Sequence, residues 1–470
     1  MKFHYYADTD SLYIDLSKRA SNDSRKVAPG VVADFDAEGR LVGIDIDHAS
    51  KIVDLSSLEA EALPVASVSV TKPSLYHRAN RQTGRVPHTA SDMTTTTDAV
   101  VIGGGLMGTS ILYNLAVRGV KGPVLLERET LGSGSTGRSS GVVHLFTDPE
   151  EPRARLTLES LRIYRDFAEI VGGGDAGFVN TGFLVMVPGD SAEEAKRHVS
   201  SQQAMGISTG IVSREEAQEL APAFDLAEDE TFVWEPDAGY GDPSGVALAY
   251  STRAREMGAR VVLESPVTDV EIQGGRVVAV VTAGERYETP IAVVATGPWS
   301  AVFLSKLGIE LPLKPTLAEV IVLRRPMDRV SSHPGGSDRS NGIYFRPEGA
   351  DLTLVGGNET PGEIDPNAYT QHPRDETVAR HWAALNMRMP GMADAEFFKG
   401  YTGVYTTTPD RQPVIDSVDG IEGLYVCTGF SGRGFKLTPA VGIVVAELVL
   451  DGAATTVDIS SMRIGRFRDV

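Results

Sequence analysis

The sequence predicts an α/β fold with an α+β second layer, behind a small β-rich unit. Three observations carry that expectation. First, Gly103, Gly105 and Gly108 form G-x-G-x-x-G between an apolar run, Ala99-Val-Val-Ile, and a stretch where Met107, Ile111 and Leu115 recur at helical spacing. Second, apolar residues 291–295, ending in Thr296-Gly297-Pro298-Trp299-Ser300, return to the same strand-turn-helix pattern much later. Third, the blocks between carry alternating strand signals such as Glu319-Val-Ile-Val-Leu and Leu352-Thr-Leu-Val. A unit that starts, stops and resumes is discontinuous. We assign 93–175, 237–309 and 395–470 to a Rossmann-type domain, and 176–236 and 310–394 to a sheet-based layer above it.

In chain order, residues 1–56 come first. Phe3 and Tyr5, then Leu12, Ile14 and Leu16, alternate as half-buried strands do, around a turn at Asp8-Thr-Asp-Ser. Val31 to Phe35 and Val42, Ile44, Ile46 flank a second turn, Asp36-Ala-Glu-Gly39. The segment resembles a small bacterial β-rich domain family of unknown function, which has no established chemistry to lend. Residues 57–92 read as a linker, punctuated by Pro64, Pro73 and Pro87 and free of acids between Glu61 and Asp92. Met93-Thr-Thr-Thr-Thr then reads as the natural start of a separate enzyme, whether by gene fusion or by a joined upstream frame.

From Asp98 the chemistry becomes legible. In a strand-turn-helix unit the first glycine permits the tight turn, the second lets backbone approach a pyrophosphate, and the third lets helix and strand pack closely. Leu106 and Met107 then bring free N–H groups of a helix N-terminus to the phosphates. Glu127 closes the second strand, Val124-Leu-Leu-Glu127, where a carboxylate takes both hydroxyls of an adenosine ribose; Arg128 follows it. Strand-like 260–263 and 277–281 surround a turn at Gly274-Gly275, and Val267, Thr296 and Gly297 complete this group of expected dinucleotide contacts. A second cluster follows at 131–144, where Gly134, Ser135, Thr136, Arg138, Ser139, Ser140 and Gly141 supply N–H and hydroxyl groups for more of the pyrophosphate. The third is Gly423-Leu-Tyr-Val-Cys-Thr-Gly-Phe-Ser-Gly-Arg-Gly-Phe-Lys436. There Gly429, Phe430, Gly432, Arg433, Gly434, Phe435 and Lys436 lead into another helix. Its N-terminus would face a negative group, such as the edge of a redox ring that becomes anionic on reduction.

Composition narrows the partners. A net charge of −19 argues against nucleic acid and anionic membrane surfaces, though one local basic pocket can still take an anion. The single cysteine, Cys427, excludes internal disulfides and suits a reducing compartment. The nine histidines show no metal-ligand spacing, so no metal is expected. No run of eighteen apolar residues occurs and the start lacks a signal-peptide core, which makes cytoplasmic the default expectation.

Together the clusters resemble a family. Residues 98–465 are similar to the FAD-dependent amine and amino-acid oxidoreductases that include glycine oxidase, sarcosine oxidase and dimethylglycine dehydrogenase. The resemblance rests on G-G-G-x-x-G with the ribose Glu, G-S-G-S-T-G-R-S-S-G, A-T-G-P-W-S, T-P-D-x-x-P-x-I and G-F-S-G-x-G-F-K, in that order. It implies FAD, an antiparallel substrate sheet over the flavin, and hydride transfer from a carbon beside an amine nitrogen, leaving an imine that water hydrolyses. The substrate would be a small amino acid or N-methylated amine; the alternatives are a 2-hydroxy acid, or a catalytically silent flavin-binding subunit.

Three residues are expected to meet substrate. Lys436 matches the lysine that contacts substrate carboxylate in sarcosine oxidases. Arg346, in Gly342-Ile-Tyr-Phe-Arg-Pro-Glu, could clamp a carboxylate bidentately. His144 could orient substrate or accept a proton. Tyr344 and Tyr405 stand on the sheet, where aromatics are usually core.

The chain also departs from its relatives. Arg138 stands where dimethylglycine dehydrogenase-like proteins attach FAD through histidine, and Gly403 where monomeric sarcosine oxidases use cysteine, so noncovalent FAD is expected. Thr353 stands where sarcosine oxidases carry a lysine near the flavin. Without a cation to stabilise superoxide, electrons are expected to pass to another acceptor, such as a protein.

Overall fold

A computed structural model describes residues 2–6, 11–17, 23–28, 31–36, 39–46, 94–146, 151–357 and 362–467. The chain divides into two compact units, 1–88 and 89–470. The expected linker 57–92 and the start at Met93 lie outside the described residues.

The described residues of the first unit form a five-stranded antiparallel sheet. Its spatial order is Lys2–Tyr6, Ser11–Asp15, Leu41–Ile46, Val31–Phe35, Asp23–Ala28. Leu12 and Ile46 are buried, with Ile14, Val31 and Ile44 packed on them. The turn at 36–40 closes because Asp36 accepts both the N–H and the Nε–H of Arg40, at 2.9 and 2.8 Å, while Gly39 adopts φ +76°.

In the second unit a six-stranded sheet runs Arg260–Val262, Val124–Leu126, Val100–Ile102, Ala292–Val294, Leu424–Thr428, Val414–Ser417. All neighbours are parallel except the last pair. Three of its inner strands, Val124–Leu126, Val100–Ile102 and Ala292–Val294, are wholly apolar and buried because both faces are covered. Val101, Leu125, Val293 and Cys427 point into a core shared with helices Leu106–Val117, Pro243–Glu256 and Gly434–Asp451. Val100, Ile102, Val124, Leu126, Val294 and Val426 point the other way, onto Val270, Val277, Val280 and Tyr287. Those four belong to a four-stranded sheet of Val267–Gln273, Arg276–Thr282, Arg286–Glu288 and Thr94–Thr96. The expected turn at Gly274-Gly275 is present, with φ +60° and +77°. Its first strand, however, is Val267–Gln273, and Arg260–Val262 joins the other sheet.

The second layer is an eight-stranded sheet in the order Gly210–Val212, Thr231–Glu235, Phe183–Val187, Gly335–Asp338, Ile343–Glu348, Leu352–Gly357, Lys314–Arg324, Glu396–Thr407. Its pairs are antiparallel except Phe183–Val187 with Gly335–Asp338. The last strand lies beyond the expected boundary at 394. Its pattern is masked by Gly400 and Gly403, which are small because other chain lies against them. A Cβ at Gly400 would sit 2.5 Å from the Pro373 ring, and one at Gly403 3.2 Å from Arg138 Cβ.

Candidate functional site

Between the parallel sheet and the eight-stranded sheet lies a cavity of about 450 Å³, within the usual range for small-molecule sites. Its wall on the parallel-sheet side is three glycine turns. Gly103 has φ +112°, and a Cβ there would stand 2.5 Å from the Ala295 carbonyl oxygen. A Cβ on Gly108 would stand 1.9 Å from the Gly103 carbonyl oxygen, so only glycine lets this helix start so close to its strand. Glu127 is held rigid beside the turn. Its Oε2 accepts the Gly104 N–H at 2.6 Å and its Oε1 the Glu129 N–H at 2.8 Å. Thr136 accepts the Leu106 N–H at 3.0 Å, tying the 131–144 loop to the helix N-terminus.

The third turn shows how sequence shapes a helix start. Pro439 has no N–H to give the Phe435 carbonyl, four residues earlier. The Tyr164 hydroxyl donates there instead, at 2.6 Å, and its ring stacks on Phe435 at 4.8 Å. Lys436 is thereby fixed in the first turn. It is buried, lines the cavity, and its Nζ donates to the His144 carbonyl at 3.1 Å.

The opposite wall consists of side chains on the eight-stranded sheet: Phe183, Ser337, Tyr344 and Tyr405, with Ala318 and Val320. Tyr344 and Ser140 share a hydroxyl hydrogen bond of 2.7 Å. Burial, with Tyr344 and Tyr401 close by, holds the Tyr405 phenol well above its usual value, so it is a neutral group at any working pH. Among the described lining residues Arg128, Arg138, Arg411, Arg433 and Lys436 are cationic and Glu127 alone is acidic. In a chain of net charge −19 this is a local basic pocket.

Nearly all the expected site residues meet here. Gly103, Gly105, Leu106, Met107, Glu127, Arg128, Gly134, Ser135, Thr136, Arg138, Ser139, Ser140 and Gly141 line the cavity. So do His144, Val267, Thr296, Gly297, Gly429, Phe430, Gly432, Arg433, Gly434, Phe435 and Lys436. Gly108 does not, consistent with a packing role.

Arg346 is the exception that changes the reading. It lies outside the lining, and its Nε and Nη1 are engaged elsewhere. Nε donates to the Ser140 carbonyl at 2.5 Å, Nη1 pairs with Glu348 at 2.5 Å, and the group covers the Tyr240 ring at 4.1 Å. It is tied to the 138–141 loop through Ser140 and stands apart from the other expected site residues. Thr353 is likewise turned away. It is fully buried and bonded to His333 Nε2 at 2.8 Å, so the lack of a lysine there carries no information about oxygen.

Some lining residues escaped the sequence reading. Trp299 packs flat under Arg128 at 3.7 Å and donates to Asn367 at 2.7 Å. Arg411 sits in the left-handed region, φ +58°, and its carbonyl takes bonds from Arg153 and Arg433. The motif Thr408-Pro-Asp-Arg marked its place but not its direction. Glu235, buried behind His144, had no signal beyond one acid in an apolar strand.

The residues present fit FAD. Backbone turns whose missing Cβ atoms leave room for close approach, a fixed carboxylate for a ribose and surplus cations for a pyrophosphate stand along one cavity. Residues 98–448 match the family profile "FAD dependent oxidoreductase", and 2–50 match "Protein of unknown function (DUF2283)". Mitochondrial sarcosine dehydrogenase of Mus musculus is 26% identical, over 88% of this chain but 46% of its own, so the chain spans about half its length. Monomeric sarcosine oxidase of Bacillus sp. (strain B-0618) is 30% identical, over 80% of this chain and 97% of its own. Among solved structures, L-proline dehydrogenase from P. horikoshii aligns with a TM-score of 0.73 at 26% identity, covering 80% of this chain and 98% of that one. Glycine oxidase from Geobacillus kaustophilus shares the fold, with a TM-score of 0.69 at 23% identity, covering 79% and 98%. This chain, over the greater part of its length, belongs to the family of FAD-dependent oxidoreductases.

Proposed function

We propose that the chain oxidises the C–N bond of a small amino acid or N-methylated amine. The observation that carries this reading is Lys436, a buried lysine fixed on the cavity wall beside the third glycine turn. Bound flavin supplies a two-electron acceptor for hydride from the carbon next to nitrogen. The chain's own residues do the rest. Glu127 offers its remaining lone pairs to the ribose hydroxyls, and the turns at 103–107 and 134–141 present N–H groups and hydroxyls to the pyrophosphate. Lys436 anchors the substrate carboxylate, which fixes the reacting carbon. Phe183 and Tyr405 close the sheet side and keep bulk water from the reacting centre.

The flavin is held without a covalent bond. Arg138 and Gly403 meet at the cavity edge and neither is a nucleophile. Cys427 lines the cavity, but burial pushes its thiol pKa far up, which leaves almost no thiolate.

Anaerobic titration of the holoenzyme with sarcosine, dimethylglycine, glycine, proline and hydroxy acids tests the reading. At least one amine should bleach the flavin absorbance, while hydroxy acids leave it unchanged. Bleaching by hydroxy acids alone would overturn the proposal. Acid precipitation should leave a colourless pellet and a yellow supernatant.

A further inference from the structure

His144 lies on the cavity wall, and what surrounds it is unusual for a lone histidine. One ring face stacks on Phe183, centroids 4.3 Å apart and 18° from parallel. Behind the ring stands Glu235, at the end of strand Thr231–Glu235, with a fully buried side chain. Its Oε1 accepts the Leu145 N–H at 2.8 Å. Its Oε2 has no hydrogen-bond partner and stands 3.5 Å from His144 Nδ1. The backbone here is pinned from three sides. Lys436 holds the His144 carbonyl, Glu235 the Leu145 N–H, and Gln202 the Leu145 carbonyl at 2.7 Å.

A carboxylate with no solvent contact and one backbone donor is costly unless a cation faces it. The imidazolium form of His144 supplies that cation. Other charged or titratable groups also face the cluster. Arg339, over the Phe146 ring at 4.8 Å, acts on Glu235 from beyond the sheet. Glu194 and His198, 3.6 Å apart on helix Ala192–Ala204, lie past Arg339. Lys436 faces from the helix Gly434–Asp451. Only His144 and Lys436 of this group line the cavity.

We infer that Glu235 is a positioning residue which keeps His144 protonated, so that His144 and Lys436 together form a two-cation seat for the substrate carboxylate. This takes the place that Arg346 fills in the sequence-based expectation. It rests on the proposed amino-acid chemistry and narrows it: substrates with a free carboxylate are favoured over simple amines, and their affinity depends on pH. The sign is fixed by the charge. Anion affinity is full while His144 is protonated and falls as pH rises through its titration; removing the carboxylate moves that fall to lower pH.

The test uses oxidised holoenzyme and reads ligand binding from the flavin absorbance, with acetate as probe and acetamide as its neutral control. Between about pH 5.5 and about pH 9 acetate binding should weaken about tenfold while acetamide stays flat, since one charge-assisted contact is lost. In Glu235→Gln the midpoint should fall by about one pH unit. In His144→Gln the step should vanish, leaving weak binding at every pH. Should Glu235→Gln fail to fold, His144→Gln decides alone: loss of the step supports the pair, and a retained step overturns it. An unshifted midpoint in folded Glu235→Gln also overturns it. Amines that bleach the flavin alongside pH-flat acetate binding would remove this inference and leave the reaction intact. A clear acetate step without bleaching by any amine would do the reverse.

Discussion

The two walls of the cavity are built by different rules. The wall on the parallel sheet is backbone: its turns work because Gly103, Gly104 and Gly108 lack a Cβ that would collide with Ala295, Glu127 and Gly103 itself. The opposite wall is side chain: Phe183 and Tyr405 reach the cavity from strands whose partners lie far away in sequence, and Tyr344 joins them from a local meander. Where function is a backbone shape, almost any substitution breaks it and the spacing is visible in one dimension. Where function is a side-chain constellation, single changes are graded and the pattern exists only after the strands pair.

Three variants can break that contrast. The largest effect should come from Gly108→Ala, whose Cβ would meet the Gly103 carbonyl oxygen at 1.9 Å. No flavin should co-purify, whereas Gly210→Ala, with open space around it, should retain a normal ratio of visible to ultraviolet absorbance. Flavin retained by Gly108→Ala would show that the backbone wall yields.

The next effect is on stability in acid. His333 is buried in the sheet layer between Thr353 and the Pro334 carbonyl, and burial lowers its pKa to about 4. The folded state therefore keeps it neutral, and the unfolded state binds its proton first. Its contribution is complete above the unfolded value of about 6.5 and is lost as pH falls toward about 4, to a total of about 3 kcal/mol. Thermal melting of the wild type should fall more steeply across this window than that of His333→Gln. Equal slopes would refute the assignment.

Arg346→Met should have the smallest effect, about 2 kcal/mol, because a charge-assisted hold on the Ser140 carbonyl is lost. Faster FAD release with a near-normal KM is expected. A large rise in KM with tight flavin would return Arg346 to the substrate.

Much of the fold and of the flavin wall could be read from the sequence, and the reason is the same contrast. G-x-G-x-x-G, the 131–144 loop and the 429–436 turn are contiguous, so each is complete in one dimension. Arg346 misled because it sits on the correct strand, Ile343–Glu348, yet nothing in its neighbours says that Ser140, Tyr240 and Glu348 would claim it. Strand Glu396–Thr407 was hidden for a related cause. The glycines that break its pattern answer Pro373 and Arg138, contacts made by distant chain. The Glu235–His144 pair joins residues ninety-one positions apart, and no local rule relates them.

The six-stranded sheet has a consequence for how the molecule is made. Its neighbours are drawn from 100–102, 124–126, 260–262, 292–294, 414–417 and 424–428, so its central strand, Ala292–Val294, lies between one partner from the start of the unit and another from near its end. Loops that long close slowly, and no stretch synthesised early can complete the sheet. The first glycine turn must therefore wait for the last. A ligand that binds only the finished cavity acts by mass action on the assembled state, so bound FAD would stabilise the folded sheet as a whole.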